Sequence, residues 1–289
     1  MSLVVAPQKM LMDTQVYSYA ASGQISESVW NDFCGYVSRN FTYCISPLVV
    51  AELSEGLLLG DEDHFELNQS RLRRLYNLSA CRVFLPLPKY YVLQQLFDIE
   101  RQPPPEIETD YELCLKVAIA ARNKDQLDSG VLVPGAVDLY RLNLDKLVSE
   151  FAASRGKYVD LMNVFRAGRW DGSDWVPWMR GTITHLGLEI SDSNLRSVAS
   201  GLDAMYHYQA AVFGLLQADG FDFSKHTSDL VDGQLLQYLC DPNLHFVTAD
   251  KKMRNRTARS TQASRILDLW SVLESHPDAI ELDATKMNT

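Results

Sequence analysis

The sequence predicts an α/β protein built on a parallel sheet, with a mostly helical region inserted into it. Residues 1–99 alternate short apolar runs with amphipathic stretches, which is the pattern of strands and helices that follow one another in a parallel sheet. The same alternation resumes after residue 221. Between the two parts lie long helix-forming stretches, such as "YELCLKVAIAARNKDQL" and "NLRSVASGLDAMYHYQAAVFGLLQA".

The first part contains three strand candidates, namely "KMLMDT", "FTYCIS" and "CRVFLPLP". Helices are predicted between and after them at "LNQSRLRRLYNL" and "KYYVLQQLFDIE". The clearest helix is "SPLVVAELSEGLLLG", because Ser46 is a favourable N-cap and Pro47 suits the first helical position. Gly56 or Gly60 is expected to stop it.

Three consecutive prolines in "RQPPPEIE" place a domain boundary near Pro103. We therefore expect a discontinuous α/β core, residues 1–99 and 222–289, and a helical insertion or subdomain, residues 100–221. The loop "RWDGSDWVPWMRG" in the insertion is expected to pack between helices, with a binding surface as the alternative reading. After residue 221 we expect a helix at "DLVDGQLLQYL", a strand at "HFVT", a basic helix after Asp250 and a last strand at "AIELDA".

The composition makes several classes of protein less favoured. The net charge of −10 disfavours a protein that coats nucleic acid without sequence preference, although a local basic groove remains open. Six histidines without close pairing and five cysteines without C-x-x-C spacing disfavour structural zinc. No apolar run approaches the roughly 18 residues of a membrane span. An odd number of cysteines and a start, "MSLVVAPQKM", without the pattern of a signal peptide lead us to expect a reduced, cytoplasmic setting.

Four acids are placed where they could share one pocket. Asp13 follows the first strand directly, and Asp250 follows "FVT" after one residue. The carboxyl ends of parallel strands face the ligand crevice of an open sheet, so these two acids are expected to meet there. Glu52 and Asp232 lie near helix starts and hence near the same edge of the sheet.

Each acid also has an ordinary structural reading. Asp13 could begin a turn. Asp229 and Asp232 have the spacing of an N-cap and the third helical position, where acids stabilise a helix by roughly 0.5–1 kcal/mol. Glu52 could lie on a solvated helix face, as its neighbour Glu55 could.

A cluster of carboxylates is costly unless cations compensate it. Two unit charges about 4 Å apart repel by roughly 4 kcal/mol at an effective dielectric constant of 20. Mg²⁺ and Mn²⁺ accept carboxylate oxygens and leave coordination positions for water and phosphate. One or two such ions would suit the hydrolysis of a phosphodiester by metal-activated water.

The order "LMDT", "SPLVVAEL", "DGQLLQYL" and "VTAD" resembles the PIN-domain family of metal-dependent ribonucleases. The resemblance covers residues 1–99 and about 222–285, and its most specific part is the tail that joins Asp232 to Asp250. It implies a three-layer α/β/α sandwich with a four- to five-stranded parallel sheet in the order 3-2-1-4-5. The chain departs from the small toxins of this family in its length and in the helical segment 100–221.

The resemblance also implies roles for individual residues. Asp13, Glu52, Asp232 and Asp250 would be catalytic and bind the metal. Thr248 would support Asp250 by hydrogen bonding, and Thr14 is a further candidate for a supporting residue behind the metal ligands. Asp229 would be either an outer member of the cluster or a helix cap.

A local reversal of charge follows the last acid. The stretch "KKMRNRTARSTQASRIL" contains six cations and no acid. Lys251, Lys252 and Arg254 are therefore candidate contacts to substrate phosphate, with a solvated helix face as the alternative. A second basic cluster, "SRLRRL", is expected to lie on the surface.

These observations lead us to expect a metal-dependent nuclease. RNA is favoured over DNA by the family resemblance, and DNA is not excluded. The alternative from another class is an inactive PIN-like scaffold that binds a partner or inhibitor protein through residues 100–221. A metal-dependent phosphatase of small molecules would use the same acids but would not need the basic residues.

Overall fold

The computed structural model describes residues 7–98, 110–153, 155–156, 160, 198, 200–215 and 222–275. Its centre is one five-stranded sheet with the order β3-β2-β1-β4-β5, in which every pair is parallel. The strands are β1 (Lys9–Met12), β2 (Thr42–Ile45), β3 (Arg82–Phe84), β4 (Leu244–Thr248) and β5 (Ile266–Asp268). The predicted fold class, an α/β/α sandwich with the strand order 3-2-1-4-5, is confirmed.

The helices lie between and around these strands in three layers with the sheet. They are α1 (Thr14–Ala21), α2 (Glu27–Asn40), α3 (Pro47–Leu59), α4 (Glu62–Asn77), α5 (Pro88–Phe97), α6 (Tyr111–Ala120), α7 (Lys124–Asp128), α8 (Leu132–Ala153), α9 (Asp203–Gly214), α10 (Thr227–Leu235), α11 (Lys251–Thr257) and α12 (Leu269–Glu274). Short 3₁₀ turns occupy Phe223–Lys225, Leu236–Cys240 and Ala263–Arg265. None of the helices in these described ranges is both long and apolar enough to cross a membrane.

The central strands are buried on both faces. Met10, Leu11 and Met12 of β1 are almost completely inaccessible, and so are Phe246 and Val247 of β4. A strand covered by helices on both sides needs a continuous apolar run rather than an alternating one. The run "KMLM" meets that requirement, which is why the sequence signals a parallel sheet there.

Helix α3 begins and ends as its sequence predicts. The Ser46 hydroxyl accepts a hydrogen bond from the Leu48 N–H at 3.1 Å, and Pro47 fills the first helical position. Gly60 is the C-cap residue. A Cβ at this position would lie 2.9 Å from Asn68 Nδ2 and 2.9 Å from the Gly56 carbonyl oxygen. The Asn68 side chain can move, but the backbone carbonyl of α3 cannot easily do so, and this position therefore favours glycine.

The structure contains a fifth strand at a position where the sequence predicts none. Ile266–Asp268 form β5 inside the stretch expected to be one basic helix, and that helix, α11, already ends at Thr257. A three-residue strand is too short to give a period in the sequence, and its pairing with β4 at Thr248↔Asp268 determines it. The strand predicted at "AIELDA" lies outside the described residues, as do "RWDGSDWVPWMRG" and the boundary near Pro103.

Helices from the predicted insertion pack directly on the α/β core. Apolar residues of α6, α8 and α9 belong to the same buried cluster as the strands, among them Leu115, Tyr140 and Phe213. Polar contacts reinforce this packing, since the Gln69 amide donates to carbonyls at the end of α6 and Arg141 Nε lies 2.7 Å from Glu55 Oε1. These helices therefore share one hydrophobic core with the sheet.

A charged network closes the amino edge of the sheet. The Lys9 ammonium lies 2.8 Å from Asp241 Oδ2, and the Tyr91 hydroxyl donates to the same oxygen at 2.6 Å. Burial opposes ionisation of Asp241, but the hydrogen bonds from Lys9 and Tyr91 outweigh it and lower its pKa. This carboxylate is thus compensated by a cation of the protein itself.

The lowered pKa of Asp241 predicts how stability depends on pH. A carboxyl group whose pKa is lower in the folded state stabilises the fold above its unfolded pKa of about 3.9, and the contribution is lost as the pH falls through the folded pKa. Asp241→Asn should lower the free energy of unfolding at pH 7 by about 1.5–3 kcal/mol and by less near pH 3. Urea unfolding at both pH values measures this, and Asp138→Asn on an exposed face is the matched control. An equal loss at both pH values would contradict the ionic role.

Candidate acidic site

The strand order reverses between β1 and β4, and the acids lie at this switch point. β1 leads to β2 and β3 on one side, while β4 and β5 lie on the other. Asp13 follows β1 immediately, and its N–H donates to the Val247 carbonyl of β4 at 3.0 Å. Ligands of open parallel sheets bind at this point, outside the carboxyl ends of the strands.

Asp13 is almost fully buried, with 4 % of its surface exposed. The Thr248 hydroxyl donates to Asp13 Oδ2 at 2.8 Å, and the Thr14 hydroxyl donates to Oδ1 at 3.1 Å. Burial raises the pKa of Asp13, and these two hydrogen bonds oppose the rise without cancelling it. The carboxylate is therefore held in place but remains costly to ionise.

Thr248 joins two of the predicted acids. Besides its bond to Asp13, its hydroxyl accepts the Asp250 N–H at 2.9 Å. Asp250 is half-buried and caps α11, since its Oδ1 accepts the Lys252 N–H at 2.6 Å. The ordinary capping role of Asp250 is thus realised with one carboxylate oxygen, and Thr248 supports both Asp13 and the backbone of Asp250.

Glu52 and Asp232 lie within electrostatic reach of Asp13. Burial and the negative charge of Asp13 raise the pKa of Glu52 to about 7, against an opposing hydrogen bond with Thr14. Burial raises the pKa of Asp232 well above its usual value, and the charges of Asp13, Glu52 and Asp250 add to this effect. The structure therefore brings the four predicted acids together at one edge of the sheet.

The donor set fits a hard divalent cation in its chemistry. Carboxylate oxygens are the ligands that Mg²⁺ and Mn²⁺ prefer. Burial raises the pKa values of Asp13, Glu52 and Asp232, and the charges of neighbouring acids add to the rise at Glu52 and Asp232. Within the described ranges, no three His, Cys, Asp or Glu side chains are placed to hold a single ion. The oxygens of these acids therefore do not surround one point. Cation binding would therefore require the side chains to adjust.

Asp229 is placed differently from the other acids. Helix α10 begins at Thr227 after His226, so Asp229 is its third residue and Asp232 its sixth. The alternative in which Asp229 is the N-cap and Asp232 the third helical position is therefore wrong. The N-cap is His226, whose side chain makes no cap hydrogen bond, so the usual sequence signal of a helix start is missing there. Arg256 Nη1 donates to Asp229 Oδ1, and His226 Nδ1 lies 3.0 Å from Oδ2.

The partners of Asp229 set its charge. Burial opposes its ionisation, but the hydrogen bonds from Arg256 and His226 outweigh burial and lower its pKa. Asp229 is therefore an ionised carboxylate with its own cation. It borders the cluster of four acids and differs from them electrostatically.

Two tyrosines near the acids were not predicted from the sequence. The Tyr208 hydroxyl on α9 lies 2.9 Å from Asp232 Oδ2. Tyr140 lies on α8, and its pKa is raised by burial and by the negative charges of Glu52, Glu55 and Asp232. Both tyrosines belong to the region read as an insertion. A tyrosine among apolar residues at helical spacing signals only a helix core, so no local motif indicated them.

The basic residues divide into exposed and paired ones. Lys251 and Lys252 are exposed beside Asp250. Arg254 Nη2 instead lies 2.8 Å from Asp268 Oδ1, so this candidate phosphate contact is engaged in an ion pair. Residues of the second cluster bind their neighbours as well: Arg71 donates to Asn68, Arg73 to Gln69 and Arg74 to Glu27.

The comparisons with known proteins leave the family open. The chain matches no protein-family model, and no curated protein and no solved structure gives a significant match. The resemblance to PIN-domain ribonucleases therefore rests on the sequence motifs around Asp13, Glu52, Asp232 and Asp250.

The raised pKa of Glu52 predicts a second dependence of stability on pH. A carboxyl group whose pKa is raised on folding contributes its full stability below its unfolded pKa of about 4.3, and this is lost as the pH rises through about 7. Glu52→Gln should therefore raise the free energy of unfolding at pH 8 by roughly 2–3 kcal/mol and change it little at pH 4. Denaturant unfolding of the metal-free protein at both pH values measures this. Equal effects at pH 4 and pH 8 would show that Glu52 is not perturbed.

Proposed function

We propose that this protein is a metal-dependent nuclease of the PIN-like type, which hydrolyses phosphodiester bonds in RNA. The observation that carries the proposal is the convergence of Asp13, Glu52, Asp232 and Asp250 at the point where the strand order reverses. Clustered acids that raise one another's pKa have no structural benefit, and a divalent cation would relieve their repulsion. A reduced, cytoplasmic setting is part of the proposal, supported by five free thiols.

The proposal gives the acids two roles, metal binding and proton transfer. Asp13, Asp232 and Asp250 would hold one or two Mg²⁺ or Mn²⁺ ions, which when bound supply Lewis-acid polarisation of the phosphate and of water. Thr248 fixes the orientation of Asp13 and the backbone of Asp250. With a pKa of about 7, the Glu52 carboxyl is suited to complete the metal shell or to exchange a proton with water near neutral pH.

Lys251 and Lys252 are the candidate contacts to substrate phosphate. Both ammonium groups are exposed at the start of α11, directly after Asp250. The preference for RNA over DNA rests on the resemblance alone, and DNA is a substrate to be tested alongside it.

The second candidate is a catalytically inactive scaffold of the same fold that binds a partner protein. It is favoured by exposed apolar side chains in the region 100–221, where Val131 is 89 % and Leu142 66 % exposed. It is also favoured by the spread of the acid oxygens described above. Absence of Mn²⁺ binding at millimolar concentration would support this candidate over the nuclease.

Substitution of the acids at the two strand ends tests the nuclease directly. Asp13→Asn and Asp250→Asn should each lower Mn²⁺-dependent cleavage of a labelled single-stranded RNA by roughly 100-fold or more, because a charged ligand is lost. Asn at position 250 can still accept the Lys252 N–H, so α11 should keep its cap and the melting temperature should change little.

The matched control is Asp128→Asn, which removes an exposed acid of α7. This variant should cleave RNA at the rate of the parent protein. Cleavage by the Asp250→Asn protein at the parent rate would refute the assignment. Cleavage of a DNA oligonucleotide of the same sequence, measured in parallel, shows whether the protein prefers ribose or deoxyribose.

The two exposed lysines predict a salt-dependent contribution to substrate binding. Lys251→Gln combined with Lys252→Gln should raise KM for the oligonucleotide and lower the slope of log K against log salt by about 0.7 for each lysine. Lys146→Gln, on an exposed face of α8, is the control. An activated small phosphodiester should be hydrolysed by parent and variant alike. If the oligonucleotide is also unaffected, a small-molecule phosphatase is the better description.

A further inference from the structure

A hydrogen-bonded bridge connects the region 100–221 to the acidic site. Tyr208 lies on α9, and its hydroxyl is 2.9 Å from Asp232 Oδ2 and 3.0 Å from Asp229 Oδ1. Arg256 Nη1 on α11 donates to the same hydroxyl oxygen at 3.0 Å and also to Asp229. One phenol thus meets two carboxylates and one guanidinium group.

The single hydrogen of the phenol has one best acceptor. Asp229 already receives hydrogen bonds from Arg256 and His226, and its negative charge is neutralised by the guanidinium group. Arg256 occupies a lone pair of the Tyr208 oxygen as a donor, so the phenolic hydrogen points away from it. The Tyr208 hydroxyl therefore donates its hydrogen bond to Asp232 Oδ2.

One contact holds the ring of Tyr208, and two hydrogen bonds hold the start of the helix that carries it. The Arg256 guanidinium lies over its ring, 5.1 Å from the ring centroid. The start of α9 is tied to the segment after α11, because Asp203 Oδ2 accepts the Thr261 N–H at 2.7 Å and Gln262 Oε1 accepts the Ala204 N–H at 2.8 Å. A donor held this firmly restricts the rotation of the carboxylate that it binds.

We infer that Tyr208 is a positioning residue of the acidic site, which fixes the Asp232 carboxylate while Arg256 orients the tyrosine hydroxyl. This inference rests on the proposed function, because the proposed function makes Asp232 a ligand of a divalent cation. It assigns part of the region 100–221 to the site itself. Through Tyr208, the region 100–221 then contributes a side chain to the acidic site.

Calorimetric titration with Mn²⁺ tests the inference on the complete chain. Tyr208→Phe should weaken Mn²⁺ binding by about 10-fold or more, as the loss of outer partners of metal ligands generally does. Tyr91→Phe is the matched control, since it also removes a tyrosine hydroxyl from a buried carboxylate, Asp241, but at the opposite edge of the sheet. Its Mn²⁺ affinity should equal that of the parent. Equal affinities of parent and Tyr208→Phe would overturn the inference.

A double-mutant cycle without metal separates this inference from the proposed function. The shift in melting temperature caused by Tyr208→Phe combined with Asp232→Asn should differ from the sum of the two single shifts. For Tyr91→Phe combined with Asp232→Asn, the shift should equal that sum. If the parent binds no Mn²⁺, the proposed function fails, and the cycle alone decides whether Tyr208 positions Asp232. Additive shifts for the Tyr208 pair would overturn the positioning role even in a protein that binds the metal.

Discussion

The parallel pairing of β1 with β4 is the constraint on which the site depends. Its register opposes Met12 to Val247, so Asp13 and Thr248 arrive side by side although they are 235 positions apart in the chain. The bond between their side chains then links the end of β1 to the start of α11, where Asp250 lies. A shift of the register by one residue would turn Thr248 to the other face of the sheet and separate Asp13 from its donor.

Charge compensation distinguishes the acids of the site from the other buried acids. Asp241 has Lys9 and Asp229 has Arg256, and in both cases the hydrogen bonds of the cation outweigh burial and lower the pKa. Asp13 accepts hydrogen bonds from the hydroxyl groups of Thr248 and Thr14, and Asp232 accepts one from Tyr208. The pKa values of these two acids and of Glu52 are raised. Hydroxyl groups orient a carboxylate without neutralising it, so the charges of these acids are not compensated in the way that those of Asp241 and Asp229 are.

The sequence predicts those features that depend on local chemistry or on long apolar runs. Ser46 and Pro47 define the start of α3 because capping acts over three residues, and β1 and β4 are recognisable because buried strands need continuous apolar stretches. The sheet order came from the resemblance and not from the residues themselves. β5 and the bridge from Tyr208 escaped prediction because each depends on partners distant in sequence: β4 for the strand, and Arg256 with Asp229 for the bridge. The start of α10 escaped prediction because its N-cap, His226, makes no side-chain cap bond.

The region 100–221 is integrated with the sheet both by packing and by polar bonds. Its described apolar residues share the buried cluster of the strands, and Arg141, Tyr140 and Tyr208 reach Glu55 or the acids of the site. Removing the region would expose that cluster to water at roughly 25 cal/mol for each Å² of apolar surface. Its contribution to the site is therefore separable from its contribution to stability only by substitutions that delete single hydroxyl groups, which leave the packing of the rings unchanged.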